Sequence, residues 1–147
     1  MLDSYDQQLQ AYDKALASKA YGEIVQEGFD MKEVEAYADM LRDTHKELEL
    51  TEEEALKMAV AQKKMDRGMK TLVDTYEDWN DALESGDLEA KSKALTKLRE
   101  GMTDLTGVDM SSLPASFFES EKNAQLLKDA INGDVDALRA LMGEATK

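Results

Sequence analysis

Residues 52–85, EEEALKMAVAQKKMDRGMKTLVDTYEDWNDALES, carry no proline and a single glycine, Gly68. Within them Ala55, Met58, Gln62, Met65, Met69, Leu72, Tyr76, Trp79 and Leu83 alternate in steps of three and four. That spacing places one stripe along a helix, and a stripe held at the heptad step is the pattern of coiled-coil packing. The step passes through Gly68 without changing phase, so the sequence predicts one unbroken helix from Glu52 to Ser85. At about 1.5 Å per residue such a helix is about 50 Å long. A compact chain of this size has a radius of gyration of only about 15 Å, so the expectation is an elongated molecule. Met58, Met65, Met69, Leu72, Tyr76, Trp79 and Leu83 are the candidate helix-packing interface. Methionine fills uneven gaps between helices and can also line adaptable binding grooves.

The flanks of this helix are clearly punctuated. Before it, Thr51 can cap free backbone N–H groups with Glu54 as its reciprocal partner, and Glu52 to Glu54 suit the positive end of the helix dipole. A second helix is expected from Asp30, its cap, to about Leu48, with Glu33 as box partner and Phe29 clasping Val34. Its seam reads Val34, Tyr37, Leu41, Thr44 and Leu48. An antiparallel hairpin about residues 49–51 would bring Leu41 and Met58 together. It would also set the acidic row Glu35, Asp39, Asp43 and Glu47 against the basic patch Lys63, Lys64, Arg67 and Lys70. A first helix, with Leu2, Tyr5, Leu9, Tyr12 and Leu16 along one face, ends at Gly28, a left-handed terminator.

After residue 85 the turn Gly86-Asp87 ends one helix and caps the next, and Gly133-Asp134 repeats the device. Residues 101–119, with Gly101, Gly107, Ser111, Ser112 and Pro114, read as a loop held down by Phe117 and Phe118. Short helices follow over 121–132 and 135–142. The expected fold is therefore all-α: an elongated helical hairpin or coiled-coil bundle over residues 1–100, with a smaller C-terminal helical subdomain over residues 101–147.

Composition narrows the functions open to such a chain. Asp and Glu number 32 against 18 Lys and Arg, a formal charge of −14, with 12 acids and 5 bases in the first fifty residues. This charge argues against direct binding to a nucleic-acid backbone or anionic lipid. The absence of cysteine excludes disulfides, thiolate chemistry and cysteine-ligated metals. No apolar run reaches the roughly 20 residues of a membrane-spanning helix. No secretory signal is visible, which fits a cytoplasmic or virion location.

The residues offer little for catalysis. His45, the single histidine, has Arg42 three positions before it where a carboxylate-bundle metal site needs Glu. Glu49 one turn later suits a surface pair. Asn132, Asp134 and Asp136 alternate as in a calcium loop, but Ala137 replaces its glycine and Gly143 its closing glutamate. No phosphate-cradling loop or nucleophile elbow occurs. The reading is a non-enzyme without cofactor or metal.

The stretch from Gly107 to Met142, Gly-Val-Asp-Met-Ser-Ser-Leu-Pro through the Gly-Asp-Val-Asp-Ala turn, resembles helical segments of phage tail tape-measure proteins. These set an irregular loop with an aromatic, and short helices parted by Gly-Asp turns, between long coiled-coil helices. The resemblance implies a virion structural component (tape-measure, ejection or scaffolding) that acts by length and assembly and has no catalytic residue. The functional expectation is a structural or assembly protein with a protein partner or further copies of itself. Its alternative is a small acidic inhibitor that imitates nucleic acid and occupies a basic cleft on an enzyme.

Overall fold

The computed structural model describes residues 19–147. A helix over 19–27 (α1) is followed by α2 (Met31–Thr44), a 3-10 turn (Lys46–Leu48), α3 (Glu52–Ser85), α4 (Leu88–Thr106), α5 (Ala115–Glu119), α6 (Glu121–Ile131) and α7 (Val135–Ala145). Among the described residues there is no strand, and no helix is long and apolar enough to cross a membrane. The expected seam of Leu2, Tyr5, Leu9, Tyr12 and Leu16 lies outside the described residues.

The helices start and stop where side chains can satisfy their end groups. Asp30 accepts from the N–H groups of Lys32 and Glu33, and Asp87 from those of Glu89 and Ala90. Asp134 accepts from the N–H of Ala137. At α3 the capping box closes in both directions. The Glu54 N–H donates to Thr51 Oγ1 at 3.1 Å, and the Thr51 N–H donates to Glu54 Oε1 at 3.3 Å. Gly28, Gly86 and Gly133 all have positive φ, as left-handed terminators require.

The chain divides into two compact units that part inside α3, between Lys63 and Lys64. In the first, Ala20 and Ile24 of α1, Val34, Ala38 and Leu41 of α2, and Ala55, Leu56, Ala59 and Val60 of α3 form the core. Phe29, Tyr37 and Leu50 pack around it. Here α2 departs from the expected seam. It stops at Thr44, His45 leaves helical geometry at φ −117° and ψ 51°, and Glu49 turns left-handed at φ 48°. The stripe that packs is Val34, Ala38 and Leu41, so Thr44 and Leu48 have nothing to cover and stay exposed. The expected meeting of Leu41 with Met58 is corrected in the same way. Leu41 shares its core with Ala55 of the expected stripe and with Leu56, Ala59 and Val60 beside it, and Met58 is left 41% exposed.

In the second unit α3 and α4 form an antiparallel hairpin, and α5–α7 pack on it. Its core joins Leu72 and Trp79 of α3 and Ala94, Leu98, Met102 and Leu105 of α4 to Met110, Phe118, Leu127 and Leu141. Trp79 meets Phe118 edge to face at 6.0 Å, and Phe118 meets Phe117 at 5.1 Å. Lys91 of α4 pairs with Glu119 at the end of α5. Lys122 and Lys147 both donate to Glu144, whose carboxyl is thereby held down to about 2. Residues 64–100, expected to close a first domain, thus share their core with the C-terminal helices. Gly101, expected to begin a loop, lies inside α4, which runs on to Thr106.

Candidate functional site

The geometry of the α3–α4 hairpin follows from its small residues. A methyl group on Gly68 would lie 2.7 Å from the carbonyl oxygen of Gly101, and one on Gly101 would lie 3.1 Å from that of Gly68. The two backbones are therefore in direct contact. The buried stripe of α3 is Gly68, Leu72, Thr75, Trp79 and Ala82, again in steps of four and three. Its small members, Gly68, Thr75 and Ala82, recur every seven residues, as do Ala94 and Gly101 on α4. Two helices with small residues at that interval can approach more closely than leucine-packed ones.

This stripe shares Leu72 and Trp79 with the expected one and adds Gly68, Thr75 and Ala82. Of the residues singled out in the sequence, Leu72 and Trp79 are buried in the core of the second unit, and Met65, Met69 and Tyr76 pack partly buried against it. Leu83 is 39% exposed, and Met58, in the first unit, is exposed as well. The heptad expected to run unbroken instead changes stripe between the units: residues 55, 56, 59 and 60 in one, residues 68, 72, 75, 79 and 82 in the other. A search for large apolar side chains passes over Gly68, Thr75 and Ala82. The signal that finds them is the seven-residue recurrence of small residues.

On the side of the seam away from Met65, Met69 and Tyr76, the hairpin carries two clefts. One, of about 560 Å³, is walled by Arg67 and Thr71 of α3, by α4 from Thr96 to Asp104, and by Asp109 and Ser111. Arg67 closes a two-pronged bond on Asp104, Nε to Oδ2 and Nη2 to Oδ1, each 2.9 Å. Arg99 donates through Nε to the Leu113 carbonyl at 2.7 Å, and Thr103 Oγ1 accepts from the Met110 N–H at 2.9 Å. These bonds tie the loop after α4 back onto the helix. Asp109 accepts from Ser111 in its own turn, which lowers its carboxyl below the usual range.

The second cleft, of about 330 Å³, lies nearer the turn. It is lined by Asp78, Asp81, Ala82 and Ser85 of α3 and by Ala90, Lys93, Ala94 and Lys97 of α4. Its floor is alanine, its α3 rim acidic and its α4 rim basic. All four charged side chains are exposed, and none makes an ion pair among the described residues.

The remaining sequence candidates are dispersed. Lys63 of the expected basic patch pairs at 3.6 Å with Glu33, outside the acidic row, and Arg67 pairs with Asp104. His45 approaches Glu47 at 3.5 Å, not Glu49. In the first unit the Tyr21 hydroxyl donates to Glu52 Oε1 at 2.7 Å. That bond, with burial and the nearby charges of Glu52, Glu35 and Asp39, pushes the phenol up to about 12. Among the described residues no group of three or more His, Cys, Asp or Glu is placed to hold a metal ion. Chemically the hairpin face offers charges, hydroxyls and a small-residue floor along two helices. No protein-family model, curated protein or solved structure matches the chain.

Proposed function

We propose that this chain is a non-enzymatic structural or assembly protein that self-associates through helix packing, in the manner of a phage virion component of the tape-measure, ejection or scaffolding kind. The observation that carries the reading is the face of the α3–α4 hairpin that no described residue of the second unit covers. One side of the seam is occupied by the core of the second unit, while two clefts lie along the hairpin, one nearer its turn and one farther from it. Residues placed this way recognise other helices, whose side chains fill such grooves. The likeness of residues 107–142 to tape-measure segments supports the virion setting.

The test is sedimentation velocity over a range of protein concentration and salt. The expected result is association that grows with concentration and is weakened, not abolished, by salt, because packed apolar surface is not screened. A chain that stays monomeric throughout rejects the reading. A second reading, an acidic inhibitor of a basic cleft, draws on Asp39 and Asp43, which stand exposed on α2 without ion pairs among the described residues. It gains if the monomer instead binds cationic resin-bound protein and is released as salt rises.

A further inference from the structure

We propose that the turn end of the α3–α4 groove is the contact for a second copy of this chain, the two hairpins lying parallel about a two-fold axis along the groove. This rests on the assembly reading and gives it a surface and a geometry. The argument starts from which charges the fold leaves unsatisfied. At the end of the groove far from the turn, Arg67 and Asp104 neutralise each other through two bonds of 2.9 Å. At the turn end, Asp78 and Asp81 stand on the α3 rim and Lys93 and Lys97 on the α4 rim of the same cleft, all four exposed and none in an ion pair among the described residues.

A contact between identical faces requires a two-fold axis lying in the contact plane. If that axis runs along the groove, α3 of one copy lies over α4 of the other at the same level. Asp78 and Asp81 then face the second copy's Lys93 and Lys97, and its acids face the first copy's lysines, so both sets are satisfied at once. If the axis runs across the groove, the hairpins are antiparallel. There Lys93 and Lys97 meet α4 of the second copy, where Glu100 is exposed. Asp78 and Asp81, however, meet α3 at Arg67, which Asp104 already holds, so only half of the charges are satisfied. Charge complementarity therefore selects the parallel arrangement. The floor permits it, because Ala82, Ala90 and Ala94 present only methyl groups and let a second pair of helices settle between the rims. The rim charges fix partner and register more than they add affinity.

The experiment uses the full chain and two charge-reversed variants, Lys93→Glu with Lys97→Glu, and Asp78→Lys with Asp81→Lys. Each alone sets like charges face to face twice per dimer, and each is expected to weaken self-association at least tenfold by sedimentation equilibrium. Mixed in equal amounts, the two variants restore every opposite-charge contact of the parallel dimer, and association returns to near the wild-type level. Failure of the mixture to associate overturns this contact, because the all-acidic cleft of one variant and the all-basic cleft of the other attract in either alignment. Recovery on mixing also shows that both variants fold. Alignment is read by mixing wild type with the fourfold swap Asp78→Lys, Asp81→Lys, Lys93→Asp and Lys97→Asp. That pairing sets like charges face to face in a parallel dimer and opposite charges in an antiparallel one, so association between the two overturns the parallel geometry. If the wild type associates and neither variant differs from it, this surface is wrong while the assembly reading stands. If the wild type never associates, both fall.

Discussion

Gly68 shows how one methyl group can decide the packing of a hairpin. In an exposed helix interior, replacing Gly with Ala stabilises by about 1 kcal/mol. Here the added carbon would lie 2.7 Å from the Gly101 carbonyl and 2.9 Å from Asp104 Cβ, and backbone cannot move aside as a flexible side chain can. Overpacking of this kind costs about 1–3 kcal/mol, enough to reverse the sign. Gly68→Ala is therefore expected to lower the urea midpoint, and a raised midpoint would show that the two backbones are not in contact. Tyr21 supplies a second test. Its phenol is raised from 10.0 to about 12 in the folded chain, chiefly by the hydrogen bond to Glu52. The folded state thus holds this proton more tightly, a contribution fully present below pH 10 and lost as pH rises towards 12. Tyr21 is expected to give a late step, towards pH 12, in a spectrophotometric titration. Tyr21→Phe should remove that late step and flatten the extra loss of stability over the same window. An unchanged titration curve would refute the assignment.

Whole helices owe their limits to the same local chemistry. The Thr51–Glu54 box satisfies a backbone donor at each end of the first turn of α3. Thr51→Ala is expected to cost about 1 kcal/mol in chemical denaturation, and Thr51→Ser to stay close to wild type, since the hydroxyl is what accepts. Equal losses from both substitutions would point to the threonine methyl instead. Ends of this kind were legible from sequence because capping depends on a few neighbouring residues. Asp30, Asp87, Asp134 and the glycines before the latter two all act where they were expected, and α3 spans the predicted residues. Which face of a helix packs was less legible, because a face is chosen by its partner. The expected seam supplied Ala55 to one core and Leu72 and Trp79 to the other, but its Met58 and Leu83 stay exposed. Leu56, Ala59 and Val60 in one unit and Gly68, Thr75 and Ala82 in the other were taken instead. Gly101 looked like the start of a loop for the same reason. Its value lies in contact with a residue 33 positions earlier, which no local pattern reveals. The groove rims were invisible too: Asp78 and Lys93 share a cleft only once the hairpin has folded.

At the scale of the molecule, the two cores have no buried residue in common. One closes with Val60, and the other begins its fully buried set at Leu72, although both draw on α3. A helix shared by two cores can transmit unfolding only if its own cooperativity spans the gap, and helix propagation adds just one hydrogen bond per residue fixed. Cores stabilised separately are then expected to open as separate cooperative units. Leu98, fully buried in the second unit, gives the means to test this. Leu98→Ala removes packing worth about 2–5 kcal/mol, depending on how far the cavity collapses. Residue-resolved amide exchange should then show α4, α6 and α7 losing protection by the corresponding factor. Val34, Ala38 and Leu41 of α2, whose core the substitution does not touch, should exchange as in the wild type. If their protection falls by the same factor, the chain unfolds as one body and α3 acts as a stiff coupling between the cores. If it does not, an assembly contact on the hairpin of the second unit can be strengthened or broken without altering the first.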